Sequence, residues 1–209
     1  MTISSDIPRK TPFILNPFQS IAGGQALIAG FLIIIVTSVI ARIANCRFDG
    51  IIDTHVGLKP AATAVYFAEG IGNWFIIALI VTLSAGIVAQ SRYRALDVFG
   101  TIALSRTPYL VSALVSLLPG STRYAQHLSA KFGAGIQTIA LQPSDLAVFI
   151  CATFVITAIT IFTVVLTYRA FATSCNAKGA KAVWYFIGVV IISEILSKIL
   201  SYGVEKALG

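Results

Sequence analysis

Residues 11–41 carry no charged side chain, and within them residues 24–41 (GQALIAGFLIIIVTSVIA) are almost wholly apolar before Arg42 closes the run. In a soluble protein an isoleucine-rich stretch is ambiguous between strand and helix. At this length, and without turn residues, it predicts a membrane helix, since about 20 apolar residues span a bilayer core. The same pattern recurs along the chain. Four further apolar segments are expected, at 61–90, 96–118, 146–168 and 182–202. The fold class expected is therefore all-α, a polytopic membrane helix bundle of about five transmembrane helices. An N-terminal polar segment (1–22) precedes the transmembrane domain (23–202), and a short tail (203–209) follows it.

Composition agrees with this. Of the 209 residues 57% are hydrophobic and only 11% are charged, whereas a soluble domain carries about 25% charge to keep its surface hydrated. The net charge of +7 would suggest nucleic acid in a soluble protein. Here the basic residues fall between apolar runs, where they anchor spans and meet anionic headgroups, so membrane lipids are the expected partners and nucleic acid is not. Cys46, Cys151 and Cys175 show no metal or redox spacing. No cationic-then-apolar leader pattern occurs in the first 22 residues, where Pro12 and Pro17 follow Arg9 and Lys10.

The third segment departs from the others. Asp97, Thr101 and Ser105 recur at four-residue spacing, and then Arg106 and Pro108 interrupt the run before 109–118 continues it. Proline removes a backbone donor and disfavours helix in the residue before it, so a kinked or discontinuous helix is expected. The second segment is long enough to tilt, overhang or break near Gly70 and Gly72, with Pro60 as its first helical residue. Ser144 and Asp145 are expected to cap the fourth. Tyr124, Leu128 and Phe132 suggest a short interfacial helix, ended by Gly133 and Gly135.

The stretch DVFGTIALSRTPYLVSALVSLLPG (97–120) resembles the signature of bacterial Yip-domain proteins, with Asp97 and Gly100 as motif positions and the break at Arg106 and Pro108. Residues 16–18 and RFDGIIDTHVG (47–57) resemble other parts of that family. The resemblance implies a five-helix membrane domain with a cytosolic N-terminus. Eukaryotic members associate with small Rab/Ypt GTPases during vesicle trafficking; they also carry a long cytosolic N-terminal region, which is not expected here. Positive residues divide seven to six in favour of the N-terminal side, the same orientation. The expected location is the bacterial cytoplasmic (inner) membrane.

Charges within apolar runs are the candidate functional groups, because an ionised side chain at a helix centre costs about 2.5–3.5 kcal/mol and needs a partner or water. Glu69 and Asn73 on the second span are expected to meet Arg106 and Pro108 on the third, either locking two helices together or lining a solute path. Glu194 and Lys198 have the favourable i,i+4 order for a helix ion pair. Asp49, Asp53 and His55, near Cys46, are potential ligand types, but their spacing matches no zinc or EF-hand pattern and a solvated connection accounts for them, so no metal is expected. No HExxH, GxSxG, P-loop or GxGxxG occurs, so neither an enzyme nor a cofactor is expected.

The preferred function is a non-enzymatic organiser of membrane or protein partners, the protein partner unknown, with self-association into a homo-oligomer possible. The alternative is a small oligomeric channel or transporter with a polar path near Glu69 and Arg106. A closed, dry bundle favours the first, and a wet cavity reaching mid-membrane favours the second.

Overall fold

The computed structural model describes residues 16–57, 59–89, 92–132 and 140–208. Among these, five helical segments are long and apolar enough to cross a membrane, and the chain is an all-α bundle. Gly133 and Gly135 lie outside the described residues.

Helix α1 (Gly23–Ala44) is the first span. It ends where Asn45 takes up a left-handed backbone, φ 51°, a conformation asparagine tolerates better than most residues. That turn feeds strand β1 (Cys46–Arg47), which pairs antiparallel with β2 (His55–Val56), Cys46 opposite Val56 and Arg47 opposite His55. The second span, α2 (Thr63–Val88), is continuous. Gly70 and Gly72 do not break it; they admit Ser38 of α1 and the Leu200 side chain, so that neighbouring helices approach closely. Its start also differs from expectation, because Pro60 and Ala61 remain outside the helix, before the Ala62 cap.

The third span is two pieces, α3 (Ala95–Ser105) and α4 (Tyr109–Val115), separated by a turn through Arg106 and Pro108. This is the expected discontinuity. The span is the least apolar of the five, with mean hydropathy 1.3, and the most enclosed, 61% buried. It is the central helix, packed chiefly against α1. Gly100 allows the approach, since a β-carbon there would strike the Gly23 carbonyl. Asp97 sits in the first turn of α3, where a carboxylate opposes the helix dipole favourably.

Helix α5 (Pro119–Phe132) packs on α6 (Asp145–Ser174), with Tyr124 and Phe149 rings 5.0 Å apart. Asp145 anchors that corner by accepting from the Gln142 N–H at 2.8 Å and from Arg123 at 2.7 and 2.9 Å. Ser144 is the cap residue but makes no side-chain capping bond. The last span, α7 (Gly179–Leu208), packs mainly along α2 and includes residues 203–208, which the sequence assigns to a tail. Both α6 and α7 have 30 residues, about 45 Å of helix, so each tilts or projects beyond a hydrocarbon core of about 30 Å.

One main apolar cluster fills the bundle on the N-terminal side. Ile77, Val81, Val98, Ile102, Phe171 and Phe186 belong to it, and so does Ile51 from the polar connection. Ile51 is what positions the site.

Candidate functional site: an inserted loop held by ionised side chains

The connection between α1 and α2 is not a solvated surface loop. Cys46, Arg47, Phe48, Gly50 and Ile51 are all buried. Its base is tied by Asn45, which donates to the Gly57 carbonyl at 2.6 Å and accepts from the Tyr66 hydroxyl at 2.7 Å. From there the chain descends along α2, meeting Glu69, then Asn73, then the cluster containing Ile77. Ten residues of helix from Thr63 to Asn73 correspond to about 15 Å, so the tip reaches about half-way through a hydrocarbon core. An irregular backbone at that depth needs its polar groups satisfied by protein.

At the first level Arg47 forms a fork with Glu69. Nε donates to the two carboxylate oxygens at 2.9 and 3.0 Å, and Nη2 to one of them at 2.5 Å. Both residues are buried, and Nη2 also reaches Glu205 at 3.4 Å. Burial would lower the Arg47 pKa, but the bonds to Glu69 and Glu205 carry it above the ordinary arginine range. Cys46 beside it has its thiol pushed up by burial to about 11, against a lowering hydrogen bond from Ser116.

At the second level the Asn73 amide donates to the Phe48 carbonyl at 2.5 Å and the Gly50 carbonyl at 2.9 Å. At the deepest level the peptide unit joining Ile51 to Ile52 is gripped at both ends. Its carbonyl oxygen accepts from Arg106 at 3.1 Å and from the Tyr109 hydroxyl at 2.5 Å. Its N–H, on Ile52, donates to Glu194 at 3.1 Å, and the preceding N–H, on Ile51, donates to the same oxygen at 2.6 Å. One amide dipole thus bridges a cation and an anion inside the bundle, which lowers the cost of burying each. Arg106 also lies over the Tyr109 ring, 4.7 Å from its centroid. Two voids of about 20 and 10 Å³ flank Arg106 and Tyr109, each on the scale of one water.

Two expected pairings are corrected by this geometry. Glu69 pairs with Arg47, not with Arg106, because the inserted loop lies between them. Glu194 and Lys198 do not neutralise each other along α7. Glu194 holds the loop backbone, while Lys198 bonds Asp49 at 3.0 Å and also Asp53. Pro108 supplies the turn that carries Arg106 and Tyr109, and Asp97 and Gly100 serve the contact with α1. Asp49, Asp53 and His55, expected as solvated, do keep exposed side-chain surface, whereas Arg47 and Ile51 beside them are buried. The readable signal was the apolar Ile51 and Ile52 between two aspartates, an unusual choice for a surface loop.

A cavity of about 680 Å³ opens on the side of the membrane opposite the N-terminus, lined by Arg47, Asp49, His55, Lys198, Ser201 and Glu205. A second, of about 350 Å³, lies across the hairpin and shares His55, Val56 and Ser129 with the first. His55 Nδ1 is 3.4 Å from Asp49. Burial would raise the Asp49 carboxyl, but hydrogen bonds and charge from His55 and Lys198 bring it down to about 2. The same bond to Asp49 raises His55 above its usual value, against partial burial. No known protein family, curated protein or solved structure matches this chain.

On the N-terminal side of the loop the bundle is packed with apolar and aromatic side chains. Trp74 donates its indole N–H to the Phe99 carbonyl at 3.1 Å and packs edge-on against Phe31 and Phe99. Phe171 and Phe186 stack below Ile51 in the same cluster. The arrangement is an open, charge-lined vestibule, a loop clamped at mid-depth, and an apolar seal.

Proposed function

We propose that this chain is a small transporter or channel of the bacterial inner membrane, moving an ion or small polar solute past the inserted loop. It is read as non-enzymatic, with no catalytic motif in its sequence. The observation that carries the proposal is the descent of residues 46–56 to mid-depth beside an open, charge-lined cavity. A bundle needing only to hold its helices together would not place Arg106, Glu194 and Lys198 around a loop backbone, since each carries a desolvation cost. Irregular backbone at membrane depth is where transporters bind their solutes; here the open cavity ends above the loop tip, at Asp49 and Lys198, and the tip itself is clamped shut. In the proposed orientation the N-terminus is cytoplasmic and the vestibule opens to the opposite face. Burial of Arg47 removes it from the interfacial count, and the positive bias becomes seven to five.

The organiser reading is supported by the five spans and by the Yip-like stretch at 97–120, with its break at Arg106 and Pro108. It leaves the vestibule without a purpose.

Purified protein in liposomes tests the choice, with H⁺ flux read by an internal pH dye and K⁺ and Cl⁻ flux by membrane-potential dyes. Wild-type vesicles should exceed empty ones for at least one ion. Gly50→Ala should raise that flux severalfold, because the added methyl collides with the Glu194 carboxylate and loosens the clamp. Vesicles of both proteins as tight as empty liposomes would leave the organiser.

A further inference from the structure

The vestibule ends on a group of side chains that the Arg47, Asn73 and Arg106 contacts do not use. Asp49, Asp53 and His55 each offer one ligand atom, and these three atoms lie within 4.8 Å of one another. Three ligands at about 2.1 Å from a shared ion lie about 3.0–3.6 Å apart, so the widest of these separations has to close by about 1–2 Å, a movement of side-chain rotation rather than of the backbone. The hairpin accounts for the convergence. Asp49 and Asp53 flank the buried tip, and His55 opens the returning strand β2 opposite Arg47.

Two further observations mark this as a cation position. The Lys198 ammonium already occupies it, bonded to both aspartates at once. Ser201, one turn further along α7 and 3% exposed, lines the same cavity with its hydroxyl lacking a hydrogen-bond partner among the described residues. A buried, unpartnered hydroxyl on the wall of the cavity that Asp49, His55 and Lys198 also line is a further oxygen donor on that side of the hairpin.

We infer that Asp49, Asp53 and His55 form a binding site for a divalent first-row transition metal ion, entered from the vestibule, in which Lys198 is the resident cation that the metal displaces. The donor set decides the class. Two carboxylate oxygens with one imidazole nitrogen suit Mn²⁺, Fe²⁺ or Zn²⁺, whereas Mg²⁺ and Ca²⁺ prefer oxygen alone. Lysine supplies the exchange. With the metal absent its ammonium neutralises the aspartates, and with the metal bound its flexible stem swings the charge outward towards Glu205, which lines the same cavity. No bond is made or broken except those to the ion. The inference deepens the transport reading by naming a cation class and rests on the same vestibule.

The test is Mn²⁺ and Zn²⁺ binding to the purified full-length chain in detergent, by titration calorimetry and, for Mn²⁺, by electron paramagnetic resonance. Wild type should bind one ion per chain saturably, in preference to Mg²⁺. Lys198→Met should bind at least tenfold tighter, because the competing cation is gone. Asp53→Asn and His55→Gln should each weaken binding at least tenfold, with a monodisperse size-exclusion peak establishing that they fold. Absence of saturable binding in both wild type and Lys198→Met, or binding indifferent to Asp53→Asn, overturns the site. Ion flux without metal binding would remove the metal and leave the transport reading, while metal binding without flux of any ion, Mn²⁺ and Zn²⁺ read by an internal metal-sensitive dye included, would do the reverse.

Discussion

At the scale of single residues the molecule is organised around charges buried in pairs or bridges. The fork between Arg47 and Glu69 is the most enclosed direct ion pair, with side chains 8% and 1% exposed. Removing one partner of such a pair strands a charge away from water and costs about 3–5 kcal/mol, whereas replacing both by apolar groups is often neutral. Glu69→Gln is therefore expected to lower stability by about that much. The double change Arg47→Met, Glu69→Leu should recover most of the loss. Denaturant or thermal unfolding in detergent measures both, and a double variant no better than the single one would mean that the pair does more than neutralise itself. Glu69 was readable in the sequence as an acid in an apolar run. Its partner was not, because Arg47 sits in a polar stretch that looks like ordinary connection.

At the scale of elements, close approach is what builds the bundle. Without water between helices, association in lipid depends on packing and on small residues that let backbones meet. Gly30 of α1 lies against the backbone at Ala103 and Leu104 of α3, so a β-carbon there has no room. Gly30→Leu should prevent this packing and shift the protein from a single monodisperse peak to aggregate in size-exclusion chromatography. The same change at Gly86, which faces open space, should be tolerated. Element existence was legible because length and hydropathy suffice to define a span. The break in the third span was legible too, because Pro108 has no amide hydrogen and Arg106 has no place in lipid. The insertion of 46–56 was not, since two short strands carry too little pattern to distinguish a surface hairpin from one folded back into the core.

At the scale of the whole molecule the two faces of the membrane are unequal. One half of the bundle is an aromatic and aliphatic seal, and the other is a pair of cavities joined around the hairpin. This asymmetry predicts accessibility. In a background lacking Cys46, Cys151 and Cys175, cysteines placed at Lys59 and Ser129, which line the open cavity, should react with a membrane-impermeant thiol reagent from one side of sealed vesicles only. A cysteine at Ile102 should react from neither. Equal labelling from both sides would contradict a sealed inner half.

What the sequence determined by itself is the solvent of this protein and the number of times it crosses that solvent. Both follow from transfer free energies summed over about 20 residues, a quantity insensitive to partners. The tertiary structure alone decided which charges meet. Glu69, Arg106, Glu194 and Lys198 were each visible as misfits in apolar runs, yet pairing depends on contacts of a few ångströms between residues far apart in the chain. The loop that lies between Glu69 and Arg106, and draws Glu194 and Lys198 to itself, takes its place through hydrogen bonds at several depths, and no spacing of residue types records that.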